Sequence, residues 1–199
     1  MTKIENLHDY NVDIEKRVIY LPQNSAESIN PSAASSFCKN IDLLVGISDD
    51  PISIKFFSVE GGCWYSGMVM YEHIQNCPCE VTIYSFSLLC SMGTIILQAA
   101  DNRYICPHMN FMVHFGSDEY SGNALAIKSY AEFQKNSHNK MIDIYADKCQ
   151  YGDFFVEDYN LNKVKNYLRT KIKDRGDWWM TAEEVIKYGF ADKIIERTW

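Results

Sequence analysis

Short apolar runs alternate with segments of helical periodicity along most of this chain. The runs are rich in β-branched and aromatic residues, and they predict strands at 17–21, 52–57, 81–86, 111–113 and 194–195. Helices are predicted after Asn30-Pro31, which suits an N-cap and first helical position, after Gly61-Gly62, and from Ser91. Two more are predicted at 161–172 and after the capping box that begins at Thr181. This alternation predicts an α/β fold with a mostly parallel sheet.

A much longer helical pattern runs from about residue 122 to 150. Its apolar stripe includes Tyr130, Phe133, Met141 and Ile144. Because a helix of this length exceeds the usual helix of a compact domain, we expect part of it to pack on something other than its own core.

Composition narrows the class of protein. The chain has 199 residues, 47% of them hydrophobic, which suits one packed domain covering 1–199. The net charge of −7 argues against nucleic-acid binding through a basic surface. The sequence has neither a long uncharged apolar stretch nor a secretory h-region near Met1, so we expect no membrane association.

Cysteine usage points to a reducing compartment. The seven cysteines are odd in number and scattered, which favours free thiols and a cytoplasmic location. Cys77-Pro78-Cys79 has no second cysteine pair or histidine cluster at ligand spacing, so we predict neither a metal site nor a cofactor.

Two residues carry the candidate chemistry. Ser91 stands between a strand-like run and a helical pattern, and His114 follows the next strand-like run. A serine hydroxyl needs a neighbouring base to act as a nucleophile, and a histidine suits that role near neutral pH. Each also has a structural interpretation: Ser91 as the N-cap of a core helix, and His114 as a hydrogen-bonded core histidine.

Four blocks resemble the ClpP family, the proteolytic subunits of Clp proteases, which have the ClpP/crotonase fold. They cover roughly residues 15 to 196. In order, they are Glu60-Gly61-Gly62 with Gly67-Met68, Ser91-Met92-Gly93, the stretch from Pro107 to His114, and the stretch from Trp179 to Glu184 with Tyr188-Gly189 and Asp192.

The resemblance implies a ββα spiral with a protruding handle helix at about 122–150. It implies a serine endopeptidase in which Ser91 is the nucleophile, His114 the general base, and the N–H groups of Gly62 and Met92 the oxyanion hole. It also implies peptide or unfolded-protein substrates and a homo-oligomer of stacked heptameric rings, a tetradecamer. An AAA+ unfoldase is the partner that the family suggests. Only 16 residues precede the first predicted strand, fewer than in the family, so we expect a gate that is wider or built differently, and docking of the unfoldase is left open.

The triad acid is the main departure from the family pattern. Counted back without gaps, the family's aspartate falls on Lys173, whereas a slip of one residue brings Asp174 into place. We therefore predict Asp174 as the acid, with no functional acid or another carboxylate as alternatives. Asp177 matches a second, non-catalytic aspartate of the family.

Other departures leave competing functions open. Ser87-Leu88-Leu89-Cys90 is bulkier than the family's Gly-x-Ala-Ala, and Glu60 replaces a proline and brings a carboxylate near the substrate channel. A catalytically impaired ring subunit with a structural or regulatory role is the first alternative. An acyl-CoA enzyme of the crotonase class is disfavoured by the Ser-His pair, and a Ser-Lys peptidase using Lys173 leaves His114 unexplained.

Overall fold

The structure is a computed structural model that describes residues 3–21 and 29–195. A single eight-stranded sheet organises this part of the chain. The strands are β1 (Val12–Asp13), β2 (Val18–Leu21), β3 (Ile52–Val59), β4 (Val81–Cys90), β5 (Asn102–Ile105), β6 (Asn110–Val113), β7 (Trp178–Met180) and β8 (Lys193–Ile194). The helices are α1 (Lys3–Asp9), α2 (Pro31–Val45), α3 (Trp64–Gln75), α4 (Met92–Leu97), α5 (Ala124–Cys149), α6 (Leu161–Arg175) and α7 (Ala182–Lys187). No helix within these ranges is both long and apolar enough to cross a bilayer.

The sheet branches at β4. The first part of this strand pairs in parallel with β5, and its last three residues pair in parallel with β6. The main path runs β1-β2-β3-β4-β5-β8, and β7 lies antiparallel to β6 on the branch. Each pair of successive helices from α2 to α6 is in contact, and the core includes buried residues from both the sheet and these helices. The predicted α/β class is therefore confirmed, and most of the sheet is parallel.

Local signals explain where the helices begin. The side chains of Asn30 and Asn123 accept hydrogen bonds from the third N–H of α2 and α5, and Asn160 does the same for α6. At α7, Thr181 and Glu184 form the reciprocal capping box that the sequence predicts.

The predicted strands and helices are all present, with shifted ends. β4 continues four residues past the predicted strand, up to Cys90, because Leu89 and Cys90 are buried and pair with β6. The short elements α1, β1, β5 and β7 are present in the structure without having been predicted from the sequence. Strands this short have no periodic signal, and β6 and β8 could be predicted only because they lie in apolar runs. The missed strands β1 and β5 contain polar residues and depend on their pairing partners.

The long helix divides into two halves. Within α5 the buried residues begin only at Ser137 and end at Cys149, where the helix packs against α4 and α6. In the first half, Leu125 is 80% exposed and Ile127 is 48% exposed. This arrangement fits the handle helix that the resemblance implies, and it leaves an apolar surface uncovered in the isolated chain.

Candidate active site

The strand-to-helix turn at the end of β4 presents Ser91. Its backbone has φ 52 and ψ −125, a left-handed conformation that is rare for a residue with a Cβ atom. The Ser91 N–H donates to the carbonyl of Met112 at 2.9 Å, which ties the turn to β6. Thr94 donates to the Ser91 carbonyl at 2.6 Å, and its hydroxyl also contacts the buried Tyr145 hydroxyl at 2.6 Å. These contacts hold a strained residue in place, an arrangement typical of functional sites.

His114 lies directly beside Ser91. Its Nε2 atom is 2.8 Å from Ser91 Oγ, and its Nδ1 atom is 3.1 Å from Oδ1 of Asp177. An ionised carboxylate only accepts hydrogen bonds, so the Nδ1 atom carries the proton and Nε2 accepts from the serine hydroxyl. This tautomer is the one that a base acting on Ser91 needs.

The pairing of β6 and β7 brings the histidine and the carboxylate together. Val113 pairs with Trp178, His114 follows Val113, and Asp177 precedes Trp178. The two side chains therefore leave the same end of an antiparallel pair. Trp178 is buried and anchors β7 through edge-on ring contacts with Tyr188 and Phe190.

Asp174 does not take the position that the sequence analysis gave it. It lies exposed in the last turn of α6, three residues before the carboxylate that meets His114. The chain turns sharply between them at Gly176, which has φ 70. The unpredicted strand β7 is the reason for the error, since the pairing of Val113 with Trp178 is the signal that identifies Asp177. Lys173 is exposed in the same last turn of α6.

Gly62 and Met92 line the same cavity as Ser91. Ile29 pairs with the residues on either side of Gly62, donating to the Gly61 carbonyl and accepting from the Cys63 N–H. In a parallel bridge of this kind the intervening Gly62 directs its own N–H away from the partner. The N–H of Met92, at the first position of α4, has no partner within the helix.

Neither Gly61 nor Gly62, the two glycines before α3, has room for a Cβ atom. A Cβ atom on Gly61 would lie 2.6 Å from the Ser91 Cβ atom, and Gly61 has φ 111. A Cβ atom on Gly62 would lie 3.0 Å from the Ile29 carbonyl carbon and closer still to its oxygen, and φ is 139. Only glycine allows this loop to approach both Ser91 and Ile29.

Carboxylates set the charge of the site. Burial, together with the charges of Glu60 and Asp177, raises the pKa of the Cys90 thiol to about 11. The carboxylate of Glu60 therefore lies close enough to Cys90, the residue before Ser91, to act on its thiol electrostatically. At Cys63, burial acts to raise the thiol pKa, but hydrogen bonds from Ser66 and the N–H of Tyr65 outweigh it and lower the pKa. Within residues 3–21 and 29–195, no group of three or more His, Cys, Asp or Glu side chains could hold a metal ion.

A family model described as Clp protease matches residues 5–198, which is nearly the whole chain. The chain belongs to the Clp protease family, a family of serine-type peptidases.

Curated relatives agree with this assignment. The chain is 29% identical over 185 residues to ATP-dependent Clp protease proteolytic subunit 1 of Corynebacterium jeikeium, covering 92% of this chain and 88% of that one. It is 28% identical over 196 residues to proteolytic subunit 2 of Corynebacterium diphtheriae, covering 96% and 89%. Both matches span nearly the full length of each chain.

The fold of this Clp protease family member also matches a solved structure. A point mutant of ClpP1 from Listeria monocytogenes superposes with a TM-score of 0.76, covering 92% of this chain and 94% of that one at 23% sequence identity. At that identity the likeness shows the fold, and it confirms the predicted ClpP/crotonase-like architecture.

Proposed function

We propose that this chain is a serine endopeptidase in which Ser91, His114 and Asp177 form the catalytic triad. The observation that carries the proposal is the continuous hydrogen-bonded path from Ser91 Oγ through both ring nitrogens of His114 to the Asp177 carboxylate. The match to the Clp protease family supports the same reaction class.

The mechanism follows from this geometry. Ser91 Oγ attacks the carbonyl carbon of the scissile peptide bond while its proton moves to Nε2 of His114. Asp177 accepts a hydrogen bond from Nδ1–H, which fixes the tautomer and favours the imidazolium that forms. The oxygen of the tetrahedral intermediate is assigned to the N–H groups of Gly62 and Met92; one such donor is worth about 10²–10³ in kcat.

The second half of the reaction returns the enzyme to its starting state. The proton on Nε2 passes to the departing amine as the C–N bond breaks, which leaves an ester between Ser91 and the acyl fragment. Water then gives a proton to His114 and attacks the ester carbonyl. Return of that proton to Ser91 Oγ releases the carboxylic acid product.

We propose that the active form is a ring assembly that encloses the site. Support comes from the exposed first half of α5, where Leu125 and Ile127 present an apolar surface. The family suggests stacked heptameric rings, a tetradecamer, with peptides or unfolded proteins as substrates. Because the relatives are named as subunits of ATP-dependent proteases, an AAA+ unfoldase is the proposed partner.

The oligomer can be tested separately from the chemistry. Multi-angle light scattering should give a mass many times the 23.0 kDa of one chain. Leu125→Glu with Ile127→Glu should reduce that mass, whereas Lys128→Glu, an exposed change on the same helix, should leave it closer to the wild-type value. A monomeric wild-type protein would contradict the compartment.

The seven free thiols support a reducing, cytoplasmic location.

The chemistry is tested with a fluorophosphonate probe and peptide mass spectrometry. The proposal predicts labelling at Ser91 that is lost in Ser91→Ala and His114→Ala and strongly slowed in Asp177→Asn. Asp174→Asn is the matched control and should label at the wild-type rate. No labelling of a folded, oligomeric protein would instead favour the catalytically impaired ring subunit.

A further inference from the structure

A cavity of about 380 Å³ opens beside Ser91, between the nucleophile and helix α5. Its apolar lining includes Met92, Ile95 and Met141, all of which are buried. The residue whose carbonyl is attacked, P1, has its side chain closest to the serine. This cavity is therefore the space into which a P1 side chain extends.

The rim of the same cavity is polar. Asp118 follows β6 in the chain, and Gln134 lies on α5. The Gln134 amide donates both to Asp118 Oδ2 at 2.5 Å and to the Tyr130 hydroxyl at 2.7 Å. Tyr130 is itself stacked on Tyr120, with ring centroids 4.3 Å apart. The Asp118 carboxylate is thus held at the cavity by side chains that are themselves anchored.

The charge of Asp118 reaches into the cavity. It acts on His138, a partly buried lining residue whose ring contacts Phe115 at 4.7 Å. Burial lowers the pKa of His138 below its usual value, which favours the uncharged form of this ring beside the Asp118 carboxylate.

The formal charge of the cavity lining is negative. Among the lining residues in the described part of the chain, Asp118 carries the sole formal negative charge, and neither lysine nor arginine is present. Arg169 of α6 acts on His138 from outside this lining. Glu60 and Asp177 add negative potential at Cys90, the residue before Ser91.

We propose that Asp118 is a specificity-determining residue that selects lysine or arginine at P1. A long aliphatic stem would pack on Met92, Ile95 and Met141, and the cationic end would meet the Asp118 carboxylate at the rim. Gln134 is a positioning residue that orients this carboxylate. The inference rests on the proposed peptidase function and adds the substrate class to it.

The test compares two peptides that differ only at P1, one with lysine and the other with norleucine, which has a similar stem and no charge. The wild-type protein should favour lysine in kcat/KM by about tenfold, the scale of one partly solvated ion pair. Asp118→Asn should remove that preference. Glu119→Gln, an exposed neutralisation at the next position, should keep it.

Two results would overturn the assignment. One is a wild-type enzyme that cleaves the norleucine peptide as well as or better than the lysine peptide. The other is an Asp118→Asn variant in which the ratio of the two kcat/KM values does not change. Arginine in place of lysine shows which cation the cavity length suits.

A binding measurement separates this inference from the peptidase proposal. In Ser91→Ala, calorimetric titration should show tighter binding of the lysine peptide than of the norleucine peptide, and Asp118→Asn should equalise them. Wild-type protein that cleaves neither peptide and takes no fluorophosphonate would contradict the peptidase function, while the binding ratio still decides the role of Asp118. Equal binding of both peptides in Ser91→Ala would contradict the specificity role.

Discussion

Replacing Asp177 with asparagine provides a direct test of the triad. The substitution keeps the shape of the side chain and removes the charge that faces Nδ1 of His114, 3.1 Å away. The asparagine amide can also donate to Nδ1, which would favour the tautomer with the proton on Nε2. That tautomer does not accept the proton of Ser91.

The exposure of the pair sets the size of the expected effect. The side chains of His114 and Asp177 are 24% and 58% exposed, so water screens their attraction. Two unit charges about 4 Å apart attract by about 1 kcal/mol in water and by about 4 kcal/mol at an effective dielectric constant of about 20. We expect an intermediate loss of about 2.7 kcal/mol, or about 100-fold in kcat. Fully buried triads lose about 10⁴-fold on the same change, which is an upper limit here.

The assay is hydrolysis of a fluorogenic peptide under saturating conditions, with Asp174→Asn as the matched control. The control removes an equal charge from an exposed position in the last turn of α6, and it should keep kcat within about twofold of wild type. A value of kcat for Asp177→Asn within about threefold of wild type would refute the assignment. An equal loss in Asp174→Asn would show that net charge near the site, rather than the contact with His114, governs the rate.

Three further changes test the surroundings of the site. Gly62→Ala should lower kcat at least about 100-fold and destabilise the fold by about 1–3 kcal/mol, because the new methyl group meets the Ile29 backbone carbonyl at a residue with positive φ. A variant with the wild-type kcat and melting temperature would count against this. Tyr145→Phe removes the hydroxyl that contacts Thr94 inside the core, and it should lower the free energy of unfolding in urea by about 1 kcal/mol. An unchanged urea midpoint of unfolding would mean that this contact contributes nothing to stability. Iodoacetamide at pH 8 should alkylate Cys63 well before Cys90. The lowered pKa of Cys63 gives it more thiolate, whereas Cys90, with a pKa of about 11, stays protonated and buried. Peptide mass mapping that finds the reverse order would contradict both pKa directions.

Much of the fold could be predicted because its signals are local. Asn30 before Pro31 and the capping box at Thr181 mark helix starts within four residues of sequence, and both are present in the structure. The long amphipathic pattern at 122–150 likewise predicts α5 to within two residues. Signals of this kind need no knowledge of what lies elsewhere in the chain.

The carboxylate that contacts His114 could not be predicted in the same way. Asp177 meets His114 only because a three-residue strand pairs with β6, and 63 residues separate the two side chains. A strand of that length has no periodicity to detect, so counting residues along the chain led to Asp174. Ser91 and His114, by contrast, each follow a strand whose apolar run is visible in the sequence.

The separation of these residues along the chain has a consequence for biosynthesis. Ser91 and His114 leave the ribosome before Asp177, which lies 63 positions after His114, and before its strand β7. A nascent chain that already contains the nucleophile and the base still lacks the strand that orients them. The peptidase proposed here therefore completes its catalytic apparatus only after β7 has been made and has paired with β6.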